Sequence, residues 1–517
     1  MKVTKFSALA ALILMAPFAQ EASALPPTTP LTPTDVQLYI SGSSALQPVV
    51  AQFAKDKCIT DPITKLPTDL DVYKDIDPTG GATLGGNWRS YFCTLDSAKS
   101  GLPAGTKMLL NNRNKGGSIW GVNPVHDNTT IAYMNINNGN CTPTSLGNYS
   151  CTVSALSSDI NPATGECSGT GTSGVGSVVC RTSTAGISDV EPEMFKITGV
   201  NLPAGFVEKT NFPQFVPNTT RFSENGVIFG ILATEGLYRS LQIAQGKIPP
   251  TATVADWNPT LRPSMKKTEV ATILKGDLTN WLDVNKKWTT AGVSGAMAIC
   301  RRTAGSGTQA GANAYFLENI CRNSSLLPGS IAMVGYAKSI PGYQVVENAS
   351  TGSLLTCLNS AYNGVNILPL GTPGGADFIG LRHDAIGFAG IDISGGTPPR
   401  PVHSVTPQPT DDNFGFVSLD GVQPDLPSAI SGDYTYWYEN TMQWRNTLNP
   451  PTPNQLALLK LFQQTAASPV SINTIPLPGV AALPTSLLWD LPANYPTMRG
   501  TRSGNSCQDV ILTKSNF

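Results

Sequence analysis

Between Gly295 and Asn319 an apolar run of strand type, Gly295-Ala296-Met297-Ala298-Ile299-Cys300, meets a helix-forming stretch through Arg301-Arg302-Thr303-Ala304-Gly305-Ser306-Gly307-Thr308. Ala310, Ala314, Phe316 and Leu317 fall on one side of the helical stretch from Gln309, so the small-residue turn is placed at a helix N-terminus. The first backbone N–H groups there lack intrahelical partners, the macrodipole adds partial positive charge, and glycine lets a ligand approach the main chain. A turn of Ser, Thr and Gly is by itself an ordinary N-cap. A fixed cation at Arg302 is the reason to read it as an anion cradle. Strand alternation that sends Arg302 inward turns Arg301 the other way.

The same strand, small-residue turn and helix unit recurs. Asp35–Ile40 alternates like a strand, Ser41-Gly42-Ser43-Ser44 turns, and Leu46–Phe53 reads as a helix. Lys107–Asn111 precedes Lys115-Gly116-Gly117-Ser118-Ile119, and Gly186-Ile187-Ser188-Asp189 precedes Val190–Phe195. Repetition of this unit predicts an α/β protein whose ligand gathers where strand ends meet helix N-termini. Gly305-x-Gly307-x-x-x-Gly311 lacks the acidic residue about twenty positions on that a dinucleotide site requires, and no Walker ending is present.

Lys2, Lys5, the apolar run Phe6–Phe18 and Ala22-Ser23-Ala24 read as a cleaved export signal over residues 1–24, which places the product in the periplasm or outside the cell. Ten cysteines fit that oxidising setting. Proximity suggests Cys58 with Cys93, Cys141 with Cys151 and Cys167 with Cys180; Cys300, Cys321, Cys357 and Cys507 remain unassigned. Neither Cys-x-x-Cys nor clustered histidine suggests zinc, and no cofactor is expected. Between Asn140 and Arg181 the chain turns rich in Thr, Ser, Gly and Asn and reads as disulfide-closed hairpins or loops. Leu25–Thr34 reads as an extended tether. Ser394–Pro401 and Val405–Asn413 read as a long surface loop, followed by a strand-like aromatic run at Tyr434–Tyr438 and a helix over Asn454–Gln464.

Charged residues are 13% of the chain and the formal net charge is −1, against about a quarter charged in ordinary domains. A basic stripe for nucleic acid is missing, as is a basic amphipathic helix for membranes. A chain of 517 residues exceeds one ordinary core, so two or more domains are expected.

Taken in order, several segments resemble the phosphate-binding periplasmic component of bacterial phosphate ABC transporters. Ile40-Ser41-Gly42-Ser43-Ser44-Ala45-Leu46-Gln47-Pro48 is similar to that family's opening strand and turn, and Ile187-Ser188-Asp189 to its Gly-Ala-Ser-Asp segment. Asn225–Ala233 resembles its crossover strand, and Ala271–Trp281 its Ile-Phe-x-Gly-Lys-Ile-x-x-Trp signature. The Arg302–Thr308 cradle, Ala385–Phe388 and Ser431–Thr435 follow in sequence.

The resemblance implies a two-lobed type II binding-protein fold: residues 35–226 with 391–500 as lobe one, carrying the Cys-rich insertion 140–181, and 227–390 as lobe two. The insertion and the tail after Val480 lie outside it. It further implies a monomer, without catalytic activity, that captures phosphate or a related tetrahedral oxyanion for uptake through an ABC permease. Ser44 would donate a hydroxyl, Ala45 a backbone N–H, and Asp189 would accept the ligand's proton. Arg302, Ser306, Gly307 and Thr308 would complete the cradle, with Ser118 matching a serine that in the family precedes Gly-Gly. Ala45 stands where the family carries an aromatic, and Ala304 where it carries an aspartate that steadies the arginine. A surface or matrix interaction protein on the same scaffold is the rival reading. A hydrolase is disfavoured by the absence of Gly-x-Ser-x-Gly and of a histidine near Ser306 in sequence.

Overall fold

A computed structural model describes residues 31–32, 35–76, 86–136, 140–153, 167, 177–195, 200–206, 219–251, 261–285, 288, 295–322, 342–365, 378, 381–393, 413–475, 479–484 and 496–513. The export signal, most of the tether and most of the 394–413 loop lie outside the described residues.

The first unit forms because Leu38 and Ile40 bury one face of β1 (Val36–Gly42) and Val49, Val50, Phe53 and Ala54 bury one stripe of the helix Gln47–Lys57. Phe53 packs edge-on to Phe462 at 5.3 Å, which seats this helix against the helix Pro453–Ala467. β2 (Asp71–Ile76), β3 (Trp88–Thr94) and β4 (Lys107–Arg113) extend the sheet, β3 lying antiparallel to both β2 and β4, and β4 parallel to β1. The helix Ile119–Asp127 follows β4.

In the Cys-rich region β5 (Thr130–Met134) pairs with β8 (Val178–Thr182), while β6 (Cys141–Ser145) and β7 (Asn148–Thr152) form a hairpin docked parallel on β2. Composition predicted disulfide-closed hairpins or loops for this stretch, and the β6–β7 hairpin, closed by Cys141–Cys151, is one. β9 (Ala185–Ser188) returns parallel to β1.

β10 (Thr219–Thr234) is the long crossover. As far as Ile228 it pairs with β16 (Trp437–Arg445), and from Phe229 it pairs with β14 (Asp384–Gly390), with β15 (Phe414–Leu419) joining at Ile231. β12 (Met297–Arg302) lies parallel to both β13 (Tyr343–Asn348) and β14. β11 (Ser264–Met265) caps β15, and β17 (Val480–Ala482) lies on β10. The result is a mixed α/β fold in which two parallel groups, β4-β1-β9 and β13-β12-β14, are joined through antiparallel β10 and β16.

Three disulfides are the proximal pairs: Cys58–Cys93, Cys141–Cys151 and Cys167–Cys180. Cys300–Cys357 and Cys321–Cys507 join the four that the sequence left unassigned. Trp281, the last residue of the segment Ala271–Trp281, is fully buried and donates Nε1–H to Asp384 O at 2.7 Å. No described helix is long and apolar enough to cross a membrane.

Candidate functional site

Three glycines bring the first group of site residues together. At Gly121 a Cβ would stand 2.1 Å from Ile187 O, at Gly186 1.8 Å from Gly121 O, and at Gly42 1.9 Å from Ile187 O. Without side chains at these positions, the N-terminal turn of the helix Ile119–Asp127 lies directly on β9 and β1. Ser118, just before that helix, therefore reaches Asp189, just after β9: Asp189 N donates to Ser118 Oγ at 3.2 Å.

The second group arrives on the helix Gly307–Leu317, whose N-cap is Ser306. Ile119 N donates to Gly305 O at 2.9 Å and Gly305 N to Asn201 O at 2.6 Å, docking the cradle turn onto the Ser118 turn. A Cβ on Gly307 would stand 2.4 Å from Ser118 Oγ and 2.9 Å from Asp189 Oδ2. Glycine here is what lets the carboxylate meet the helix N-terminus.

Asp189 is 4% exposed and sits at the convergence. Its carboxyl accepts from Ser43 Oγ, Ser118 Oγ and the Thr308 N–H. Burial pushes its pKa up, against the lowering effect of those donors and of the Arg302 charge. Burial likewise pulls Arg302 down to about 10, with Asp189 acting in the other direction, so the guanidinium remains charged at neutral pH.

Ala304 offers Arg302 no side-chain partner, and other groups hold it. Arg302 Nε donates to Asn348 O at 3.2 Å, Nη1 to Thr351 Oγ1 at 2.9 Å and Nη2 to Ala349 O at 3.1 Å. These partners come from the end of β13 and the N-terminus of the helix Thr351–Asn363. They fix the guanidinium with dipoles, and among the described residues no carboxylate is in hydrogen-bond contact with it.

Arg302, Thr308, Ser44 and Ala45 line a cleft of about 210 Å³, together with Asn114, Arg89, Thr351 and Asp392. Of the expected residues, Ser118, Asp189, Gly307 and Thr308 converge directly. Ser44 and Ala45 line the cleft without a described hydrogen bond to Asp189, and Ala45 N donates to Ser43 Oγ at 3.1 Å. Ser306 Oγ accepts from Gln309 N at 3.4 Å, which is the capping role. Arg301 is wholly buried off the cleft lining, with Nε 3.8 Å from Glu347 Oε1, while Nη1 and Nη2 have no hydrogen-bond partner among the described residues.

Ser43 and Asp392 escaped the sequence reading. Gly42 at φ +120° takes the chain out of the strand, so alternation no longer predicts which serine of Ser43-Ser44 faces inward. Asp392, just beyond β14, has burial as the first cause of a pKa raised to about 7, with the Asp189 charge adding to it. Only the fold brings it to the cleft, and nothing in its local sequence signals this. Among the described residues no group of three or more His, Cys, Asp or Glu could hold a metal ion.

Neither a family model nor a curated protein sequence matches this chain. Among solved structures, it is similar to a protein from Clostridium perfringens described as a phosphate ABC transporter substrate-binding protein with bound phosphate: 10% identity, 86% of this chain and 98% of that one, TM-score 0.39. PstS from Borrelia burgdorferi overlaps at 10% identity, 87% of this chain and all of that one, TM-score 0.32. An ABC-type phosphate transport receptor from Vibrio cholerae overlaps at 13% identity, 55% of this chain and 74% of that one, TM-score 0.27. At these values the likeness carries no argument, and the chemistry of the site rests on its own residues.

Proposed function

We propose that this chain is an extracytoplasmic binding protein that captures phosphate, or a tetrahedral oxyanion of like charge and protonation, in the cleft beside Asp189. The observation that carries the reading is a buried carboxylate held at a helix N-terminus with a buried arginine charge nearby. Helix N–H groups, hydroxyls and a guanidinium suit an oxyanion; a carboxylate among them suits only an oxyanion that still carries a proton. Sulfate has none at neutral pH, so against Asp189 it would form a desolvated like-charge pair. A cleft that excludes water strengthens each of these hydrogen bonds. No nucleophile–base pair is invoked, and the protein is read as a binder without catalysis.

We also propose the two-lobe division into 35–226 with 391–500 and 227–390, in support of which β10 exchanges partners between Ile228 and Phe229. Export by residues 1–24 and delivery to an ABC-type permease belong to the same proposal.

Calorimetry of the mature protein with phosphate, sulfate and arsenate is the direct test. Phosphate and arsenate should bind and sulfate much less, with the preference over sulfate narrowing in Asp189→Asn, because an amide offers a donor and removes the repulsion. A selectivity ratio unchanged in that variant, or no anion bound at all, would overturn the reading.

A further inference from the structure

The C-terminal residues 496–513, outside the family resemblance, touch segments that continue from both halves of the site. Glu439 on β16, 4% exposed, collects three donors from this tail: Thr501 Oγ1 at 2.5 Å, Arg502 N at 2.6 Å and Gly504 N at 2.5 Å. Arg502 is buried, donates Nε–H to Trp437 O at 2.9 Å and Nη2–H to Thr435 O at 2.8 Å, and lies 4.5 Å over the ring of Tyr438. These contacts anchor the tail on the strand that pairs with the first half of the crossover.

From that anchor the tail reaches in two directions. Ser506 N donates to Glu191 Oε1 at 2.9 Å, while Glu191 N donates to Ser506 Oγ at 3.2 Å. Glu191 is two residues beyond Asp189, on the segment leaving β9. The next tail residue, Cys507, is bonded to Cys321. Cys321 N donates to Glu318 O at 2.8 Å, and Glu318 is the C-cap of the helix Gly307–Leu317. Adjacent tail residues thus grip the Asp189 segment by a reciprocal pair of hydrogen bonds and, by a covalent bond, the turn that follows the far end of the cradle helix. An eleven-residue helix is a rod of about 16 Å, so constraint at its C-terminus is transmitted to Gly307 and Thr308 at its N-terminus.

We propose that this tail is a positioning strap: it fixes Asp189 relative to the N-terminus of the helix Gly307–Leu317, and so sets how closely the proton acceptor stands to the anion donors. Ser506 and Cys507 act through other residues and do not themselves touch the ligand. The binding consequence rests on the oxyanion reading; the mechanical coupling does not.

Two variants of the mature protein test it: Ser506→Ala, which removes one hydroxyl, and the pair Cys321→Ser with Cys507→Ser. Ser506→Thr keeps the hydroxyl and serves as the rescue. Hydrogen exchange without ligand should quicken on the order of tenfold at the amides of Asp189 and Gly307–Gln309 in both test variants, and remain near wild type in Ser506→Thr. Calorimetry should show a phosphate-to-sulfate ratio reduced severalfold in the same two variants. Faster exchange confined to residues 496–513, or a phosphate-binding protein whose selectivity is unmoved, overturns the strap. If wild type binds neither anion the oxyanion reading falls, and exchange at Asp189 and Gly307–Gln309 alone decides the strap.

Discussion

Arg301 and Arg302 are neighbours with opposite fates, and strand pleating is the cause. Ile299 and Arg301 face one side of β12; Cys300 and Arg302 face the other, where Cys357 and Thr351 of the helix Thr351–Asn363 receive them. Arg302→Ala should weaken phosphate binding by about 2 to 5 kcal/mol, the loss expected when a buried charge pair loses one member. Arg301→Met should leave binding nearly unchanged and unfold at an equal or higher denaturant midpoint, since an apolar replacement relieves two unpartnered buried nitrogens. Equal loss of binding in both variants would show that the cradle is misassigned. Asp392 adds a pH dependence whose sign is fixed: below about 7 its carboxyl is neutral, and above it a carboxylate faces the anion. Wild-type affinity should therefore fall relative to Asp392→Asn between about pH 6 and pH 8, the interval that brackets this titration. Taking the ratio of dissociation constants at each pH cancels the titration of phosphate itself, and a constant ratio would place Asp392 away from the ligand. That Arg302, Asp189, Ser118 and Thr308 come together was an expectation with two sources: Arg302 and Thr308 from the turn between a strand and a helix, Asp189 and Ser118 from the family resemblance. The partners of Arg302 were not legible, since Asn348 reaches it only through the β12–β13 register.

At the scale of elements, four strand–turn–helix units were readable from periodicity and small-residue turns, and three occur with an α-helix. The fourth ends in a single 3-10 turn, Pro192–Phe195, a span too short for a full helix. The cradle helix begins two residues earlier than Gln309, at Gly307, because Ser306 supplies the cap. What sequence could not show is how closely these units approach. Gly307 reads as turn punctuation, yet its lack of a Cβ is what allows the carboxylate to lie in contact with the helix. Gly307→Ala would suit a helix by intrinsic propensity. In this structure it should instead drive Ser118 and Asp189 away from the cradle, lowering phosphate affinity by at least about tenfold, or about 1.4 kcal/mol, while the fold, checked by circular dichroism, persists. Unaltered affinity in the Gly307→Ala variant would mean that Asp189 does not sit on the helix N-terminus when the anion is bound.

Across the whole molecule, the disulfides show where sequence separation stops being informative. Pairs separated by 35, 10 and 13 residues could be guessed from proximity. Cys300–Cys357 and Cys321–Cys507, separated by 57 and 186, depend on which strand lies beside which helix. All ten cysteines are paired, so alkylation of the unfolded, unreduced chain should label none of them. The bonds should differ in what they stabilise. Cys141–Cys151 closes a hairpin at the sheet edge, whose strand β6 is largely exposed. Its ten-residue loop restricts the unfolded chain by about 3 kcal/mol in the entropy model, and β6 lies at the opposite end of the strand order from β12 and β13. Cys300 and Cys357 are both fully buried and join β12, which carries Arg302, to the helix whose N-terminus holds it. Closing a loop of that length restricts the unfolded chain by about 4 kcal/mol in the entropy model, and replacing the bond also leaves a defect in the core. The double substitution Cys300→Ala with Cys357→Ala should lower the urea midpoint clearly and weaken phosphate binding, while Cys141→Ala with Cys151→Ala should lower the midpoint less and leave binding unchanged. Similar midpoints for the two variants would show that the packing of β12 against the helix Thr351–Asn363 holds without its covalent tie, and that Arg302 is fixed by its hydrogen bonds alone.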